Sequence, residues 1–190
     1  MRATSALTAV DDDATPWTER VRAAYEEVRV PLWRAVLAWS GSPDVADEAL
    51  AESFAQLLRR GDEVRDPAAW AWQAAFRLAA GDLQRRRTAD GRAGADGALD
   101  RVAARADRLP DDALDLIRAL GHLSDQQRRC VALVDVAGHT APSAAEVLGT
   151  SAATVRVQLM RARRTLRHLL ADPTPTARDA AVGDAPEELR

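Results

Sequence analysis

Between Val147 and Ala171 there are five arginines and no acid: Arg156, Arg161, Arg163, Arg164 and Arg167. Guanidinium groups gathered in this way bind phosphate and pair bidentately with guanine edges. The apolar residues among them recur at helical spacing. Sorted at about 100° per residue, Val155, Leu159, Ala162, Leu166 and Leu170 share one side, the expected core face. Opposite lie Thr154, Val157, Gln158, Arg161 and Arg164, with Arg156, Arg163 and Arg167 on the flanks. A helix entering the major groove by its N-terminal part would offer Thr154, Val157, Gln158 and Arg161 to base edges, the glutamine suited to adenine and the last arginine to guanine. Ser151, Arg156, Arg163 and Arg164 are expected on phosphates.

The elements that would position this helix are punctuated by local signals. Ser124 followed by Gln127 is a capping-box pattern opening a helix through Val136, which Gly138 ends. Thr140 caps a short helix that tolerates Pro142 in its first turn, and Gly149 stops it. Ser151 caps the next helix, which runs to about Leu170. A short helix, a glycine turn and a longer helix make a helix-turn-helix. Small Ala145, turn-forming Gly149 and apolar Val155 fall where two crossing helices need close approach, a left-handed corner and a buried plug. A solvated basic face on a three-helix bundle would show the same charges; the caps and the Ala-Gly-Val spacing favour DNA.

Other chemistry is poorly served. His122, His139 and His168 share no metal-ligand spacing, and Cys130 stands apart from all three, so no metal or cofactor is expected. Cys130, between Arg129 and Val131, reads as a small buried hydrophobe. The adjacency of His122, Ser124 and Asp125 makes a helix start, not a catalytic triad. No phosphate-cradling glycine loop occurs, and no enzyme reading survives. Hydrophobic residues are 47% and charged residues 29% of 190, enough for a packed core. All 26 basic residues are arginine, yet net charge is −3, so the chain as a whole has no pull toward nucleic acid and only local segregation matters. No apolar run approaches the roughly 18 residues of a membrane span, and no signal-like N-terminus is present. A cytoplasmic protein without membrane insertion is expected.

Composition divides the chain into an all-α arrangement of two small helical domains on a flexible linker. Residues 1–15 and 172–190 are expected to be disordered tails. Residues 16–87 carry helical periodicity through Val21, Ala24, Tyr25, Val28, Leu32, Val36 and Leu37. The stretch GSPD at 41–44 breaks the pattern, and Asp44 is expected to cap a helix over Ala46–Leu58. A further break at Gly61–Pro67 precedes a helix to Arg87. Residues 88–108, rich in Gly, Ala, Asp and Arg, read as linker. Residues 109–171 form the second domain, with the helix-turn-helix.

The stretch LSDQQRRCVALVDVAGHTAPSAAEVLGTSAATVRVQLMRARRTLR resembles the C-terminal domain of bacterial RNA polymerase sigma factors of the extracytoplasmic-function type, TVR…L.RAR at 154–163 being its most specific part. GSPDVADEALAESF (41–54) resembles the family helix that docks on the polymerase clamp, and DPAAWAWQAAFRLAAGDLQRRR (66–87) the helix that binds and opens the −10 promoter element. The resemblance covers nearly all of Trp17 to Leu170. It implies a non-catalytic subunit that gives core RNA polymerase its promoter choice, reading the −35 element as duplex DNA with the second domain. Partners would be core polymerase, promoter DNA and an anti-sigma factor of the kind such proteins often have. Asp47, Glu48, Leu50, Glu52 and Phe54 would form an acidic–apolar surface for the polymerase. Trp72, Arg77, Arg85, Arg86 and Arg87 combine stacking surface with charge for the −10 strand; Trp70 reads as core. The chain departs from the family at Ala51, at Arg77 and Gly81 in the −10 helix, and at Gln158, which bears on promoter preference and melting. Two alternatives stand beside this reading: a stand-alone helix-turn-helix regulator, and a sigma-derived interaction module that no longer melts DNA.

Overall fold

The structure, a computed structural model, describes residues 16–89, 116 and 118–171, and among them only helices and turns occur. The expected tails and nearly all of the expected linker lie outside the described residues.

The first half is three helices: α1 (Pro16–Ser40), α2 (Pro43–Arg60) and α3 (Pro67–Ala89), with one 3₁₀ turn at Gly61–Glu63. The α1 periodicity buries Val21, Ala24, Val28, Leu32, Ala35, Val36 and Trp39, while Tyr25 of the same pattern is exposed. Ser42, not Asp44, caps α2: its hydroxyl accepts from Val45 N at 3.4 Å, Pro43 occupies the first turn, and Asp44 lies inside the helix beside its positive end. Gly61 at φ +65° closes α2, a conformation that only glycine adopts without strain. Asp66 Oδ1 accepts from Ala69 N at 3.0 Å to start α3. This helix buries Ala71, Ala74, Ala75 and Ala79, whose small side chains let α1 and α2 approach closely. It continues through Thr88 and Ala89, two residues assigned above to the linker.

The second half holds α4 (Asp125–Val131), α5 (Ala141–Leu148) and α6 (Ala152–Ala171), preceded by helical turns at 118–121. The capping box is present in both directions, Gln127 N to Ser124 Oγ at 3.3 Å and Ser124 N to Gln127 Oε1 at 3.0 Å. Helix α4 does not run regularly to Val136. Ala132–Val136 is a wider π turn, with Ala137 N bonded to Ala132 O at 3.0 Å, and Gly138 at φ +79° then turns the chain into α5.

The two halves pack directly on each other, and their buried residues form one continuous cluster. Helix α1 lies against α4 and the π turn, and α3 against α5. At the centre is Trp39, 1% exposed. Its indole N–H donates to Asp125 Oδ1 at 2.8 Å. The other Asp125 oxygen pairs with Arg129 at 2.9 Å, and that guanidinium sits 4.3 Å from the Trp39 ring centre. Phe76 of α3 stacks on Trp39, 5.2 Å between centres and 6° from parallel. One side chain thus gathers α1, α3 and α4. Truncating it removes a large buried ring and leaves a cavity, so Trp39→Ala is expected to cost about 3–5 kcal/mol in urea denaturation. Gly81 is an exposed mid-helix position where an added Cβ meets no atom within 4 Å. Gly81→Ala should therefore raise the same denaturation midpoint, by up to about 1 kcal/mol of stability.

Candidate nucleic-acid interface

Helix α6 is set by its ends and its underside. Gly149, at φ +63° and ψ 40°, takes the left-handed turn, and Thr150 N reaches back to Ala145 O at 2.9 Å. Ser151 caps α6 through Thr154 N at 3.1 Å, and the Ser151 and Thr154 hydroxyls bond to each other at 2.9 Å. Val155 at 0%, Leu159 at 5% and Ala162 at 0% exposure fasten the inner side to α4 and α5. Leu166 is half-buried and Leu170 exposed, so the apolar stripe loosens toward the C-terminus. On the outer side Val157, Arg156, Arg161, Arg163 and Arg164 are exposed, and Thr154 and Gln158 are half-buried.

Two side chains of this set are held from α4 and its π turn. Gln158 Nε2 donates to Gln126 Oε1 at 3.4 Å. Arg163 reaches sideways to Asp135 with two bonds, Nη2 to Oδ1 at 2.5 Å and Nε to Oδ2 at 3.3 Å, and that carboxylate raises the arginine pKa further above its ordinary value. Arg163, expected on a phosphate, therefore has its fork occupied within the protein. Asp135 lies outside the helix whose charges were counted, and only the fold brings it there.

The −10 group is dispersed along α3. Arg77 is exposed. Arg85 and Arg86 both turn to Asp82, at 3.2 Å and 2.5 Å, and Arg86 also lies 3.9 Å from Glu48; the Arg87 side chain lies outside the described residues. Trp72, expected at the surface, is 6% exposed. It is covered from the other half by His139, edge-on with ring centres 4.3 Å apart, and flanked by Phe76 at 6.3 Å. The interface between the halves hides it. Trp70 is half-buried under Arg60, whose guanidinium is 5.5 Å from its ring centre.

On α2 the expected polymerase surface splits into two stripes. Asp47, Leu50 and Phe54 point toward α1. Asp47 accepts from the Trp33 indole at 2.7 Å, and Leu50 lines a shallow groove with Tyr25, Arg29, Val30 and Trp33. Phe54, expected as an apolar contact, is 7% exposed because it packs edge-on to Tyr25 at 5.1 Å; the exposed ring of the pair is Tyr25. Glu48 and the half-buried Glu52 form the second stripe. Glu52 accepts from Gln56 at 2.9 Å and Arg59 at 2.8 Å, bonds that hold its carboxyl below the usual glutamate range. Cys130 is buried at 1% exposure, and desolvation raises its thiol pKa, as suits a packing residue. Among the described residues no cluster of three or more His, Cys, Asp or Glu could hold a metal ion, and no helix is long and apolar enough to cross a membrane.

Residues 113–166 match the family model described as Sigma-70, region 4. No curated protein matches the chain. Among solved structures, the chain is similar to the sigma factor RpoE in complex with the anti-sigma factor NepR from Bartonella quintana: TM-score 0.63, 18% identity, 80% of this chain and 98% of that one. It is also similar to CnrH in complex with the cytosolic domain of CnrY: TM-score 0.59, 22% identity, 81% of this chain and 89% of that one. At these identities the likeness is one of fold.

His139 gives the covered Trp72 a pH dependence. Its Nδ1 lies 2.8 Å from Ser143 Oγ, its ring faces Trp72, and desolvation lowers its pKa below the ordinary 6.5. The unfolded chain then binds the proton more readily, so this contribution to stability is complete above pH 6.5 and declines as pH falls through 6.5 toward the folded-state value. Urea midpoints of the native chain should drop between pH 7.5 and 5.5 by more than those of His139→Asn.

Proposed function

We propose that this chain, a sigma factor of the extracytoplasmic-function type by its region 4 and its fold, is the subunit that directs core RNA polymerase to a set of promoters. The observation that carries the reading is the sidedness of α6. Its apolar stripe is buried in a helix-turn-helix while its outward face holds Arg156, Arg161 and Arg164 with no acid on the helix. Thr154, Val157, Gln158 and Arg161 read base edges of duplex −35 DNA, and Ser151, Arg156 and Arg164 hold phosphates. Arg163 joins them where a phosphate displaces Asp135.

The first half meets the polymerase through the exposed carboxylates Asp47 and Glu48 and the groove edge at Leu50, with Tyr25 supplying the apolar contact that Phe54 supports from beneath. Helix α3 engages the −10 strand through Arg77 and, once freed from Asp82, through Arg85 and Arg86, with Arg87 continuing the run. Trp72 can join only when His139 withdraws, so promoter engagement requires the halves to part. In the structures that this fold resembles, RpoE is bound by the anti-sigma factor NepR and CnrH by the cytosolic domain of CnrY, and an anti-sigma factor is proposed as the partner here too. The alternative of an interaction module that no longer melts DNA draws support from the same buried Trp72 and from the acid-paired arginines of α3.

Transcription reconstituted from the full chain and core RNA polymerase on genomic DNA should give discrete start sites, with permanganate-reactive thymines upstream of them. Start sites without reactive thymines would favour the interaction module; neither signal would remove the reading. Arg161→Ala combined with Arg164→Ala should weaken holoenzyme binding to the −35 duplex at least tenfold and lower the salt slope by about 1 to 2 ions.

A further inference from the structure

The outermost line of α6 is not wholly basic. Counting about 100° per residue from Val155, the positions farthest from the core are Arg164, then Ala153 and Val157, then Met160 and His168. All five are exposed. Val157 is 42% exposed, and Met160, at 64%, is the most exposed of the large hydrophobic residues described. Arg156, Arg163 and Arg167 lie on one flank and Arg161, beside Thr154, on the other, with Arg163 turned to Asp135. Val157 and Met160 are the large apolar side chains exposed on this cationic face.

We infer that Val157 and Met160 are specificity residues that read the C5-methyl groups of thymines at neighbouring base pairs of the −35 duplex. The inference rests on the duplex-reading role proposed above. With Arg156 and Arg164 on backbone phosphates and Arg161 on a base edge, the side chains between them, Val157 and Met160, meet the groove floor. That floor presents hydrogen-bonding edges and one apolar group, the thymine methyl. Valine offers no hydrogen bond and methionine only a weak acceptor, so a G·C pair beneath them would keep polar edges dehydrated without replacement partners. A methyl group loses water as the side chains do. Side chains at i and i+3 stand about 5–6 Å apart, and base pairs are stacked about 3.4 Å apart, so the two side chains fall on adjacent or next-adjacent pairs. Thr154, Gln158 and Arg161 then supply the polar readout around the apolar centre.

The test uses the full chain assembled with core RNA polymerase. Duplexes selected from a pool randomised over the −35 region should be enriched in thymine at two positions one or two steps apart. Replacing those thymines by uracil removes only the methyl and keeps the pairing; each replacement should weaken binding about fourfold. In Val157→Ala the uracil penalty should vanish at one position, and in Met160→Ala at the other. Both sites are exposed, and unchanged urea midpoints will show that the variants fold. Equal binding of thymine and uracil duplexes, or a uracil penalty untouched by either variant, overturns the inference while leaving the DNA-binding role intact. Absence of any salt-dependent duplex binding would sink that role and the inference with it.

Discussion

Trp39 is the contact on which both halves of the molecule depend. An indole presents a flat ring and one donor, and here both are engaged: Phe76 and Arg129 pack on the ring, and Asp125 takes the N–H. Burying an indole without a partner for its N–H would cost on the order of 1–3 kcal/mol. Asp125 removes that cost, and because it sits in the first turn of α4 it also places its charge at the positive end of that helix. Arg129 completes the arrangement by holding Asp125 while covering the ring. Three side chains from two halves thereby engage one another through directed contacts, which is why the packing is a specific geometry rather than loose apolar adhesion.

The same economy governs the basic helix. An acidic chain with arginine as its only strong cation must keep its guanidinium groups from being neutralised at home. On α6 this is achieved by excluding acids from the helix itself, and among the described residues the one carboxylate that reaches it, Asp135, comes from the π turn. On α3 the acid is internal: Asp82 takes up Arg85 and Arg86. The two surfaces proposed for DNA are thus in different states of readiness. The duplex-reading face is open, whereas the strand-engaging face is both charge-paired and, at Trp72, covered.

What could be read from the sequence followed the range of the forces involved. The caps at Ser124, Thr140 and Ser151, the turn at Gly149 and the buried stripe of α6 depend on residues within a few positions of one another, and periodicity exposed them. The cap of α2 depends on equally local chemistry, yet Ser42 with Pro43 behind it takes the place expected of Asp44. Trp72 and Phe54 were misplaced for another reason. Their covers, His139 and Tyr25, lie 67 and 29 positions away in the numbering, and no local pattern announces a contact between separate helices. Asp135 escaped notice because it reaches Arg163 only through the bend of the π turn. Met160 is uncharged and lies off the apolar stripe, so neither charge nor periodicity marks it.

Because the packed halves belong to one chain, their association proceeds at a local concentration that dilution cannot lower. A macromolecule that needs them apart meets only the separated fraction of the population, and its apparent dissociation constant is the intrinsic one divided by that fraction. The covered ring of Trp72 thus acts as a toll on every productive encounter, one levied equally in a crowded cell and in a dilute tube. A ligand that prefers the parted form lowers it for the next to arrive, so two partners that never touch would still cooperate.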